Sequence, residues 1–207
     1  MKSLSFCLFF SLFMAPFLTA QTQNVENVNT SETLPYHQIP DYPESYSPGN
    51  IAARMVDGLG YRYYWATKDL RPEDLSFKPS ADGKTTEETL EHLLGLSQTI
   101  VNAVTNTPNV RPADRPEMNY EQKRKATLEN LKKASDHLRA AKDGDVESFE
   151  IVFQRGENRS AFPFWNLLNG PLADAIYHVG QIVSFRRTSG NPLHPFVNVF
   201  IGKTKER

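Results

Sequence analysis

The sequence predicts an all-α protein built as a four-helix bundle, with room for one short β-hairpin between the third and fourth helices. Two observations carry this. Four segments of similar length repeat apolar residues at the helical period, and each is bounded by residues that start or stop helices. Strand-like composition is confined to a single stretch, and that stretch contains a proline.

Residues 1–20 read as an export signal: Lys2, then a Phe- and Leu-rich run from Leu4 to Phe13, and a cleavage point after Ala20. The apolar run is too short for a membrane span, and no later one is longer, so a mature chain without a membrane span is expected. From 21 to 48 the chain is polar and holds Pro35, Pro40, Pro43 and Pro48, which predicts a flexible or extended leader. The domain proper then occupies 49–192.

Its first helix is expected over Asn50–Lys68, with Ile51, Met55, Leu59, Tyr63, Ala66 and Leu70 on one stripe, weakened by Gly58 and Gly60. The second starts at Thr85, which has capping-box spacing to Glu88, and runs to Val104 on Leu90, Leu93, Leu94, Ser97, Ile100 and Val101. The third begins near Asn119, with Gln122 three residues on, and ends near Lys142. Its apolar positions are Leu128, Leu131, Ala134, Leu138 and Ala141, and its outer face is charged. Phe149–Phe153 and Ser160–Trp165, joined by a turn, can pair as a hairpin, where Pro163 demands an edge. The fourth helix spans Asn169–Gly190, with Pro171 at its first position and Gly190-Asn191-Pro192 as its stop. Residues 193–207 form a Pro-containing tail.

Removing Lys2 with the signal turns 23 bases against 24 acids into 22 against 24, a net charge of −2. A near-neutral chain without a basic block excludes an electrostatic grip on nucleic acid. Cys7 is the single cysteine and lies in the signal, so the mature chain has neither disulfide nor thiol chemistry.

The chemistry gathers on the fourth helix. Leu172, Ala175, Ile176, Val179, Ile182 and Val183 form its core stripe. Beside it run Asp174, His178, Gln181 and Phe185 at i, i+4, i+7 and i+11. Asp174 alone also reads as a first-turn acid complementing the helix dipole, and His92 alone as a half-buried histidine bonded to a neighbouring helix. Together, Asp174 and His178 on one helix and His92 on the facing second helix supply two imidazole nitrogens and a carboxylate to one side of a divalent ion. Gln181 can hold a ligand from behind. Arg186 and Arg187 read either as helix-end cations or as an anion site, with Phe185 and Trp165 as its walls. His37, His137 and His194 are expected in solvent.

Asp174-Ala-Ile-Tyr-His-Val-Gly-Gln-Ile182, followed by Arg186 or Arg187 and Gly190-Asn-Pro192, resembles the last helix of the DinB/YfiT-like metalloenzyme family. Tyr64–Pro79 resembles that family's first helix and the loop after it, and Thr86–Leu94 the start of its second helix; the resemblance covers Asn50 to Pro192. It implies a divalent metal, zinc or nickel, held by three side chains at His92, Asp174 and His178. The family pattern has histidine where this chain has Asp174. A carboxylate there shifts the expected preference toward manganese or iron. The implied activity is a metal-dependent hydrolase or small-group transferase acting on a small-molecule substrate. Export weighs against the thiol-dependent branch, since low-molecular-weight thiols are kept reduced mainly in the cytoplasm. The alternative is a non-catalytic exported bundle that binds a ligand or metal, or pairs as a homodimer.

Overall fold

The computed structural model describes residues 33–114 and 116–205; the stretch expected to be an export signal, with Cys7, lies outside the described residues. The chain is mostly helical, with small sheets. Its helices are α1 (Pro48–Thr67), α2 (Pro72–Leu75), α3 (Thr86–Val104), α4 (Tyr120–Ala140), α5 (Trp165–Leu167) and α6 (Ala173–Thr188). The strands are β1 (Asn109–Val110), β2 (Glu150–Arg155), β3 (Asn158–Pro163), β4 (Val197–Asn198) and β5 (Lys203–Thr204).

The helix starts follow local chemistry. Ser47 Oγ accepts the Asn50 amide at the head of α1, and Pro48 occupies the first turn, where a missing N–H costs nothing. Reciprocal capping boxes close Thr85 with Glu88 on α3 and Asn119 with Gln122 on α4. Each satisfies two amides that would otherwise lack a partner.

α1 packs on α4 and α6, and α3 packs on the same two helices. Between them Leu90, Leu93, Ile100, Leu128, Leu131, Leu138, Val179 and Ile182 are buried, each large side chain contributing about 1.5–3 kcal/mol. The expected stripe of α1 is displaced by about one residue. Ile51 and Met55 are 53% and 49% exposed, while Ala52, Ala53 and Val56 join Leu59 and Tyr63 inside. The cause is close approach: Gly49 sits against the Leu138 carbonyl so tightly that a Cβ would collide with it, so small residues make this contact.

The fourth helix also departs from expectation. It does not begin at Pro171. Helical backbone starts at Trp165, widens into a π-helical stretch at Leu168–Leu172, and resumes as α6. Gly170 takes φ −95° and ψ −107°, which breaks the α ladder just before the proline that cannot donate to it.

β2 and β3 form the expected hairpin, in register Val152 with Ala161, around a turn with Gly156 at φ +57°. β3 is an edge strand, and Pro163 lies at its end. A third strand was not foreseen: β1 pairs parallel with β2 on its other side. Asn109 of β1 ties the sheet to α3, donating to the Val152 carbonyl at 3.0 Å and accepting from Asn102 at 3.0 Å.

From residue 33 onward, the leader expected to be flexible is packed instead. Tyr36 is buried over Gly60 and donates to Asp57 Oδ1 at 3.1 Å, and burial pushes its phenol pKa up. Ile39 is buried beneath the tail, where its amide donates to the Gly202 carbonyl at 2.9 Å. β4 and β5 make a small hairpin, and Thr204 meets the Tyr61 hydroxyl at 2.7 Å. His37 is half-buried against Tyr64 and Trp65 rather than solvated; His137 and His194 are exposed. No helix among the described residues is long and apolar enough to cross a membrane.

Candidate metal centre

α3 and α6 face each other across the core, and His92 and His178 project from the borders of their buried stripes. Leu93 and Val179, the residues after them, are buried and fix the rotation of both helices. Asp174 lies one turn before His178, the spacing that brings side chains together on one helix face.

All three converge. His92 Nε2 is 3.1 Å from Asp174 Oδ2, and His178 Nε2 is 3.3 Å from Asp174 Oδ1. The imidazole rings stand nearly perpendicular, at 86°, with centroids 4.6 Å apart. One ligand atom from each residue lies within 4.8 Å of the others, so the cluster can hold a metal ion. His178 is the most enclosed of the three; His92 and Asp174 are partly open to solvent.

The donor set fits such an ion. Each imidazole Nε2 stands 3.1–3.3 Å from an Asp174 oxygen, His92 at Oδ2 and His178 at Oδ1, about the spacing of neighbouring ligands on one ion. Gln181 Oε1 lies 2.7 Å from His178 Nδ1, so Nδ1 carries the ring proton and donates, leaving the Nε2 lone pair turned toward a carboxylate oxygen. A lone pair and a carboxylate repel unless a cation, a proton or a metal ion, lies between them. Three protein ligands leave the rest of the coordination shell to water or substrate.

The other residues considered from sequence separate. Gln181 stands behind His178, as a ligand-orienting group would. Phe185 packs against Phe77, with ring centroids 5.6 Å apart. Arg186 is buried and most of its donors are engaged: Nη1 reaches the Trp65, Ala66 and Lys68 carbonyls at 3.0–3.1 Å, and Nε and Nη2 reach Asn191. It caps the C-terminus of α1, a structural role rather than an anion site beside the metal centre. Trp165 is 77% exposed and lines a separate apolar cavity of about 570 Å³ with Ile51, Met55 and Phe164.

Beside His92 lies a cavity of about 410 Å³ that sequence reading did not anticipate. Its walls include Lys84, Leu96, Thr99, Arg111, Phe153 and Pro171. These come from α3, the segment before it, the sheet and the π-helical stretch. Sequence spacing could have found only Leu96 and Thr99, which follow His92 at i+4 and i+7. No family model, curated protein or solved structure matches this chain.

Proposed function

We propose that this chain is an exported, metal-dependent enzyme of the DinB/YfiT-like kind, a hydrolase or small-group transferase built on a four-helix bundle. The observation that carries the reading is the convergence of His92, Asp174 and His178 within 4.8 Å, beside a cavity large enough for a small molecule. The pairing of α1 and α3 each with α4 and α6 supports the bundle.

In this reading His92 and His178 offer neutral Nε2 atoms, Asp174 neutralises half of a dication's charge, and Gln181 fixes the His178 tautomer. A divalent ion bound there supplies Lewis acidity toward a water or a substrate oxygen. Phe153, Leu96 and Pro171 give the adjoining open cavity some apolar wall for a substrate to pack against. Zinc, nickel, manganese and iron are the ions to test, since two imidazoles and a carboxylate suit all of them.

Metal analysis of the purified protein, after stripping and reloading with each ion, tests the centre. One equivalent per chain is expected, lost on replacing His92, Asp174 or His178 with Ala. Retention by all three variants rejects it. Export is tested by the N-terminus of the protein from its native cell: cleavage after Ala20 supports it, and cytoplasmic protein retaining Met1 rejects it.

A second reading, a non-catalytic bundle that pairs as a homodimer, is favoured by one observation. Trp165, Ile51 and Met55 are exposed around the apolar cavity. Sedimentation of the wild-type protein and of Trp165→Ser tests it; a monomer at all concentrations rejects it.

A further inference from the structure

The charged groups around the cavity at His92 are unevenly engaged. Glu88 is held in the α3 capping box, where its Oε2 accepts the Thr85 amide at 2.7 Å and its pKa is lowered by that bond. Glu91 faces Lys123 Nζ at 3.5 Å. Of the two cations in the lining, Lys84 acts on Glu88 and helps to lower its pKa, whereas Arg111 has no side-chain hydrogen bond or ion pair among the described residues. Both acids are therefore occupied, and Arg111 is the available base.

Arg111 is also the better placed. Its amide donates to the Gln154 carbonyl at 2.8 Å, which extends the β1–β2 pairing by one residue. Strand side chains alternate, so Arg111 shares a face with Asn109, the residue that reaches Asn102 on α3, while Val110 between them is 57% exposed. On α3, His92, Gly95, Thr99 and Asn102 recur at helical spacing and present one stripe toward that face. The cavity at His92 adjoins a second one of about 420 Å³, and Gly95, Thr99 and Arg111 line both. Arg111 thus borders both cavities, on a backbone fixed by the sheet and with its side chain open to solvent. Asp114 lines the second cavity but not the one at His92.

We propose that Arg111 selects a small organic anion as substrate, binding its carboxylate or phosphate group at the junction of the two cavities while the rest of the molecule reaches the His92–Asp174–His178 centre. This rests on the metal-centre reading for the substrate's far end, but the anion subsite stands on its own groups. A planar guanidinium pairs with either oxyanion through two parallel hydrogen bonds, which a lysine cannot reproduce. A dication beside Asp174 leaves a net positive charge at the other end, so both ends of the path favour an anion.

Titration calorimetry on the zinc-loaded protein, with succinate and its uncharged diamide as probes, tests this. Succinate is expected to bind and the diamide to bind at least tenfold more weakly. Arg111→Ala should weaken succinate at least tenfold with unchanged zinc stoichiometry and melting temperature, and Arg111→Lys should recover only part of it. Repeating the titration on His178→Ala separates the two ideas. Loss of zinc with a residual, Arg111-dependent affinity for succinate supports the subsite alone. Equal succinate binding by wild type and Arg111→Ala, or no preference over the diamide, overturns the proposal even if zinc is bound.

Discussion

His178 Nδ1 lies 2.7 Å from the Gln181 amide oxygen, one turn along the same helix, while its Nε2 faces Asp174 at 3.3 Å. One ring nitrogen is thus pinned and the other aimed. Replacing Gln181 with Leu frees the ring to rotate and to change tautomer. Metal affinity should fall by about 10- to 100-fold with stoichiometry still one per chain, read by competition with a chelating dye. Unchanged affinity would show that the amide does not orient the ligand.

His178 and its neighbour should separate binding from stability. His178→Ala is expected to abolish stoichiometric metal binding while changing apo-protein stability by no more than about 1 kcal/mol, because the ring borders the core without filling it. Val179 is buried, so Val179→Ala should cost about 2 kcal/mol in urea unfolding and keep the metal. The reverse pattern would place His178 in the core.

Two helical glycines should respond in opposite directions. A Cβ at Gly49 would collide with the Leu138 backbone carbonyl, which cannot swing away, so Gly49→Ala should destabilise by about 1–3 kcal/mol. Gly180 in α6 has open space where a Cβ would go, so Gly180→Ala should stabilise by up to about 1 kcal/mol. Thermal melts of the two variants check both signs.

Asp74 provides an acid-sensitive clasp. It is buried and takes hydrogen bonds from the Arg71 guanidinium, Ser189, the Arg71 amide and Asn191, joining α2 to the end of α6. The Arg71 side chain is the largest cause holding its carboxyl well below the usual range, against the opposing effect of burial. A depressed folded pKa contributes stability that is fully present above the unfolded value of about 3.9 and is lost as pH falls from there toward the folded value. Asp74→Asn should therefore cost about 2 kcal/mol at neutral pH and lose less than wild type between pH 5 and pH 2, measured by urea midpoints. Parallel pH profiles for the two proteins would remove Asp74 from the acid transition.

Local chemistry determined where most helices start, because a capping box needs only residues three apart: Thr85 with Glu88 and Asn119 with Gln122 were both legible in the chain. The core faces of α3 and α4 were legible for the same reason, their burial being periodic and one-sided. So was the pairing of Asp174 with His178, since four residues make one turn, and the edge position of β3, since proline cannot donate on both sides. What the sequence could not decide depends on elements that meet from far apart. The stripe of α1 turned because Gly49 allows close approach to α4, a contact between residues about ninety positions apart in the chain. Asp74 found Ser189 and Asn191, Arg186 found the end of α1, and Tyr36 found Asp57, each through packing that no short window contains. The polar leader looked unstructured because its few anchors, Tyr36 and Ile39, are too sparse to show a period. Arg111 came to stand in the same cavity wall as His92 only when a two-residue strand docked beside β2, and periodicity is not measurable over two residues.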